Sequence, residues 1–228
     1  MRCGENPPGV TTMVRVITIS REFGSGGSEV ARILAEHLEW KLIDDPLVAE
    51  IAQRANVSPE LARRYDECVD PWFHRMFKAL WQGGYEGVVS HGQLDGFDAE
   101  AMAGLWTRVI RESAQLGHCV IVGRGAQCLL QDRKEVFHVS VFAEMEQRVR
   151  NLRGALRRHV PPGADPGAMA EESDQRRAEY VRRYFGEDWK DYRLYQMVIN
   201  SAVGFEAAAT AILSAAGLST RQAVQPPA

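Results

Sequence analysis

The chain has 228 residues, 45% hydrophobic and 25% charged, with a formal net charge of -3. That is enough for one large α/β domain with inserts, and the charge balance gives no general reason to expect a nucleic acid polymer or a membrane as partner. No stretch has the apolar length of a membrane span, residues 1–12 lack a signal-peptide apolar segment, and Cys3, Cys68, Cys119 and Cys128 show no C-x-x-C spacing, so the expectation is a cytoplasmic protein with reduced thiols.

Residues 1–12, with Gly4, Pro7, Pro8 and Gly9, read as a loose leader. Val14, Val16, Ile17 and Ile19 then form a β-branched run that suits a buried strand. Ser20 to Gly27 turns, with glycines at 24, 26 and 27. From Ser28 to Glu39, Val30, Ile33, Leu34 and Leu38 recur at helical spacing. Strand, glycine-rich loop and helix N-terminus together make an anion cradle: glycines admit a ligand close to the backbone, and the first helical N–H groups lack intrahelical partners.

The loop nearly matches the phosphate-binding pattern G-x-x-x-x-G-K-[ST]. Aligning Gly26 and Ser28 puts Arg21 at the first Gly and Gly27 at the phosphate-binding Lys. Two readings stand side by side: a phosphate cradle whose cation comes from Arg21 or a distant Arg, and a plain strand–helix turn.

Lys41-Leu42-Ile43 suggests a short strand, and Asp44-Asp45-Pro46 follows. Asp45 fits an N-cap with Pro46 at the first helical position. Asp44 or Asp45 also lies at a strand's carboxyl end, where α/β sheets bind ligands. Helical patterns begin at Leu47 and at Ser58-Pro59, and Trp72, Phe73, Met76, Phe77, Leu80 and Trp81 make an aromatic stripe of the core type. Residues 82–98 hold five glycines and read as a loop. Met102, Leu105, Trp106, Val109 and Ile110 mark a helix over residues 99–116, closed by Gly117. Residues 46–117 thus form a mainly helical insert.

Cys119 to Val122 is a second buried strand, running into Gly123-Arg124-Gly125. An Arg there either reaches into the crevice, where its planar fork suits a phosphate or carboxylate, or sits in a solvated turn. Val136 to Phe142 is the next strand. The helix after it carries Val149, Leu152 and Leu156 on one stripe and Arg150, Arg153 and Arg157 on the next, with Arg148 and Arg158 nearby. Such a run is either a solvated face or an anion site. Residues 159–169 read as a loop, and a helix from about Ser173 carries Asp174, Arg177, Tyr180, Val181 and Tyr184. Met197 to Asn200 is a last short strand, Phe205 to Ala216 a closing helix, and residues 218–228 a loose tail. Alternating strands and helices imply a parallel sheet covered on both faces.

The stretches I-T-I-S-R-E-F-G-S-G-G-S-E at 17–29, I-D-D-P at 43–46, V-I-V-G-R-G-A at 120–126, D-Q-R-R-A-E-Y at 174–180 and D-W-K-D-Y-R-L-Y-Q-M-V-I-N-S at 188–201 resemble the cytidylate kinase-like family of P-loop nucleoside monophosphate kinases. The resemblance spans about residues 14–214. It implies one P-loop NTPase domain over 13–217: a three-layer fold with a parallel sheet flanked by helices, an acceptor-binding insert near 46–117, and an Arg-rich lid near 150–190.

It further implies ATP-dependent phosphoryl transfer to a nucleoside monophosphate, CMP or dCMP before others. Gly24, Ser25, Gly26, Gly27 and Ser28, with Arg21, would hold the ATP phosphates, and the Ser28 hydroxyl would bind Mg²⁺. Arg124 and Asp45 would hold the acceptor. Arg157, Arg158 and Arg177 would stabilise the moving phosphoryl group, with Asp174 completing the D-x-x-R pattern. Two departures keep other classes open. The missing P-loop Lys admits a nucleotide-binding regulatory protein, and G-R-G in place of the family's G-R-D admits another small acceptor.

Overall fold

The computed structural model describes residues 13–47 and 99–218, with the backbone alone at 99–102. The leader, the helices expected after residue 47, the aromatic stripe at 72–81, the glycine-rich loop at 82–98 and most of the tail lie outside the described residues. Elements are numbered here among those described.

Five strands form one all-parallel sheet: β1 (Val16–Arg21), β2 (Lys41–Ile43), β3 (Cys119–Val122), β4 (Val136–Phe142) and β5 (Met197–Asn200). Their order is β2-β3-β1-β4-β5. The chain leaves β1 in the centre and later builds on both of its sides, to β3 and to β4. In such a sheet the crevice beyond the strands' carboxyl ends opens at β1, where the winding direction reverses.

The six helices among the described residues are α1 (Gly27–Leu38), α2 (Ala99–Leu116), the short α3 (Ala126–Leu129), α4 (Met145–Arg153), α5 (Pro166–Phe185) and α6 (Phe205–Ala215). The strands are apolar on both faces, so two cores result. On one face Val16, Ile43, Cys119 and Ile121 pack under Leu105, Trp106, Val109 and Ile110 of α2. On the other, Ile17, Ile19, Val120, Val139 and Val141 pack under Val30, Ile33 and Leu34 of α1 and Ile212 of α6. A polar pair interrupts the centre: the Thr18 hydroxyl lies 2.7 Å from Nδ1 of His138, both buried.

Three sequence expectations need correction. Asp44, not Asp45, accepts the first helical N–H, from Leu47 at 3.2 Å. This frees the Asp45 carboxylate for another contact. Helix α4 stops at Arg153, because the chain at Gly154 leaves helical geometry, so Leu156, Arg157 and Arg158 lie beyond it. Helix α5 begins at Pro166 rather than near Ser173. Its N-cap is Asp165, whose carboxylate accepts from Ala168 N at 3.0 Å. Asp-Pro is a helix start in its own right. The prolines and glycine ahead of it masked that signal.

Candidate active site

Two turns meet at the carboxyl end of the central strands. The first, Glu22–Gly26, joins β1 to α1; Gly24 and Gly26 have φ of 81° and 82°. Its carbonyls are held from outside. Arg177 Nη1 donates to Arg21 O (3.0 Å), Arg148 Nε to Phe23 O (2.7 Å), Asn151 Nδ2 to Gly24 O (2.9 Å) and Ser201 Oγ to Ser25 O (2.5 Å). The Ser25 hydroxyl points inward, donating to Glu22 O and Val141 O. Any phosphate contact from Ser25 therefore comes from its backbone. Ser28 is exposed in the first turn of α1.

The second turn follows β3. Gly123, Arg124 and Gly125 all have left-handed φ: 73°, 56° and 69°. For Arg124 that conformation is strained, as it is for Glu39 and His118 elsewhere in the chain. Both glycines are needed. A Cβ at Gly125 would overlap the Phe185 ring, and one at Gly123 would overlap Nη1 of Arg21. The Arg124 guanidinium meets Asp45 through Nε (3.0 Å) and Nη2 (2.6 Å) and lies 5.1 Å from the centroid of the Trp106 ring.

Against the second turn and the end of β1 lies a cavity of about 420 Å³, lined in part by Arg21, Asp45, Arg124, Arg176, Arg177 and Tyr180. Four guanidinium groups face one carboxylate there. Arg124 is paired with Asp45, and Arg177 with Asp174 at 3.1 Å. The exposed Arg176 pairs with Glu172. Among the described residues Arg21 has no carboxylate in salt-bridge contact, and its buried Nε lacks any hydrogen-bond partner. Burial first, and Arg177 next, push its pKa down to about 9. Burial likewise lowers the pKa of Arg177, against the pull of Asp174. Asp45 and Asp44 offset the lowering at Arg21 only in part, so an anion brought to Arg21 would stabilise its charge.

Asp174 serves the loop as much as it serves Arg177. Its Oδ1 accepts from Phe23 N (2.8 Å) and from Arg177, and its Oδ2 accepts from Arg148 Nη2 (2.5 Å). Arg148 is buried and also faces Glu22 at 3.6 Å. In the sequence Arg148 stands only as one arginine in a run, and Asn151 carries no signal at all. Ser201 stood in the I-N-S pattern without an assigned role. Arg176 sat beside Arg177 in the quoted D-Q-R-R motif.

The remaining lid residues stand apart from the cavity. Arg158 pairs with Glu29 of α1 at 3.0 Å, near the loop's helix. Arg157 donates to Val160 O (2.5 Å) and lines a separate space beside Asp165. The structure thus groups Arg21, Asp45, Arg124 and Arg177 in one cavity, sets Asp174 behind the loop, and leaves Arg157 and Arg158 outside.

A model of the cytidylate kinase-like family matches residues 16–203. The chain belongs to the cytidylate kinase-like family. The matched span takes in both turns, the cavity and helix α5. Membership makes the protein kinase-like, of the phosphotransferase type, and the 2-3-1-4-5 parallel sheet is the P-loop kinase arrangement. No curated protein matches the chain. Among solved structures, an uncharacterized protein from Eubacterium ventriosum ATCC 27560 is similar at 23% identity, covering 90% of this chain and 99% of that one, with a TM-score of 0.62. Weaker likenesses include a shikimate kinase from Bacteroides thetaiotaomicron (17% identity, 87% and 96% covered, TM-score 0.49) and one from Acinetobacter baumannii in complex with shikimate (15%, 89% and 93%, 0.48). At these identities the likeness concerns the fold alone.

A nucleotide fits the donor set. Loop and helix offer backbone N–H groups toward an anion, and kinase-like proteins use ATP, typically with Mg²⁺. Among the described residues no cluster of three or more His, Cys, Asp or Glu could hold a metal ion. Mg²⁺ fits here only as an ion held by phosphates and waters with one exposed hydroxyl, Ser28, which is a common way of binding it. No described helix is long and apolar enough to cross a membrane.

Proposed function

We propose that this protein transfers the terminal phosphoryl group of ATP to a nucleoside monophosphate, with CMP or dCMP as the first acceptors to test. The observation that carries this reading is the guanidinium of Arg21, its Nε without a hydrogen-bond partner, standing with Arg124 and Arg177 in a cavity at the end of β1, the strand that leads into the glycine-rich turn. A structural turn gains nothing from a buried, unpaired cation. A site that receives a phosphate does.

The backbone of Gly24, Ser25, Gly26, Gly27 and Ser28 holds the donor phosphates, and bound Mg²⁺, touched by the Ser28 hydroxyl, supplies charge neutralisation. Arg124 takes the acceptor's phosphate, and Asp45 holds Arg124 in place until it arrives. Arg177 meets the phosphoryl group in transit, and Asp174 orients it. Arg157 and Arg158 serve the same charge once the Arg-rich lid near 150–190 closes over the donor, which also excludes water as a competing acceptor. The chain's contribution is positioning and charge, without a covalent intermediate. One finding favours a second acceptor class: Arg124 is neutralised by Asp45, and a carboxylate there can also accept a hydroxyl from a small non-nucleotide acceptor.

The test is ATP turnover with Mg²⁺ against all nucleoside monophosphates, then free nucleosides and small hydroxy acids. Turnover confined to one monophosphate supports the proposal. Turnover with a hydroxy acid selects the second class. ATP binding without transfer to any acceptor makes the protein a nucleotide-binding regulator. In the active case Arg177→Ala lowers kcat more than it weakens ATP binding.

A further inference from the structure

The loop departs from G-x-x-x-x-G-K-[ST] at two positions, 21 and 27, and the structure brings those two side-chain positions together. A Cβ built on Gly27 would overlap Cβ of Arg21 and lie 3.2 Å from its Cγ and 3.2 Å from Cβ of Val141. A side chain at 27 and any side chain at 21 therefore exclude each other. In the pattern the first position is small and the Lys is large. Here the first position is large and the Lys position is empty of side chain.

We infer that the loop's phosphate cation has been relocated, with Arg21 supplying from the end of β1 the charge that a lysine at position 27 supplies in the standard pattern. This rests on the phosphoryl-transfer reading above. Three observations point the same way. Gly123 also lacks a Cβ where Nη1 of Arg21 lies, so both neighbouring turns make room for this one side chain. Arg21 lines the same cavity as Arg124 and Arg177. Its buried Nε has no hydrogen-bond partner among the described residues, so that donor is committed to no protein acceptor. Two glycines and an unpaired donor are costly for a solvent-facing Arg and useful for a phosphate-binding one.

The relocation predicts a reciprocal exchange. Arg21→Gly with Gly27→Lys rebuilds the full G-x-x-x-x-G-K-S pattern. Four proteins are compared: wild type, Arg21→Ala, Gly27→Lys and the double variant. Two readouts are used, phosphoryl transfer from ATP and binding of inorganic tripolyphosphate by calorimetry, with a thermal melt for each. Arg21→Ala is expected to lose at least tenfold in tripolyphosphate affinity and a hundredfold or more in turnover. Gly27→Lys is expected to melt early, because it collides with Arg21. The double variant is expected to melt near the wild type and to recover most of both losses. Equal tripolyphosphate binding by wild type and Arg21→Ala overturns the inference, and so does a folded double variant no better than Arg21→Ala. If no acceptor is phosphorylated by wild type, the proposed reaction fails, and the tripolyphosphate series still decides the relocation.

Discussion

Gly123→Ala tests the cavity without touching a charged residue. The new Cβ would stand 3.1 Å from Cζ of Arg21 and inside the van der Waals reach of Nη1, so the guanidinium must leave its seat. Two effects separate. Holding Ala at a φ of 73° costs about 1–2 kcal/mol of stability, which lowers Tm by a few degrees in a chain of this size. Displacing Arg21 removes a charge-assisted donor from the ATP phosphates, about 1.5–3 kcal/mol, or one to two decades in affinity. The Kd of ATP is measured for Gly123→Ala, Arg21→Ala and the double variant. Because both changes remove the same group, the double variant should bind about as weakly as Arg21→Ala alone. Losses that multiply, or a Gly123→Ala protein with unchanged Kd, would refute the link between the β3 turn and Arg21.

Three further outcomes are expected. Arg148→Met removes one of the two guanidinium partners of Asp174 and the donor to Phe23 O while Arg177 and Phe23 N stay on the carboxylate, a loss of about 1.5–3 kcal/mol that appears as a fall in Tm of several degrees in a thermal melt. Affinity for ATP falls as pH rises through about 9, the value to which burial lowers the Arg21 pKa; a bound anion favours the charged form, so calorimetry above pH 8 shows proton uptake on ATP binding, absent in Arg21→Ala. His138, neutral in the core with its pKa pushed down to about 4 by burial, binds its proton in the unfolded chain first, so stability drops as pH falls from about 6.5 to about 4, with a slope of up to about 1.4 kcal/mol per pH unit; thermal melts across that window check it against His138→Leu.

The sequence alone determined the layers and the places where chemistry gathers. Apolar runs such as Val16–Ile19 and Cys119–Val122 are local signals of strands buried on both faces, and glycines after a strand mark turns with left-handed backbone. Asp45, Arg124, Asp174 and Arg177 were legible because motifs keep residue types at short spacings. Some local signals were legible and still misassigned: the cap passed to Asp44, and Asp165-Pro166 opened α5 ahead of Ser173.

Tertiary structure decided how these residues are used, because each decision depends on contacts far apart in the chain. Arg148 became a buried strut only when α4 and α5 closed on the loop, 125 positions away from Phe23. Arg124 met Asp45 across 79 positions. Gly27 and Gly123 read as loop glycines in the sequence; only packing shows that both make room for the side chain of Arg21. Periodicity and spacing report what a residue's chain neighbours permit. A buried charge and the space reserved for it depend on several strands and helices at once.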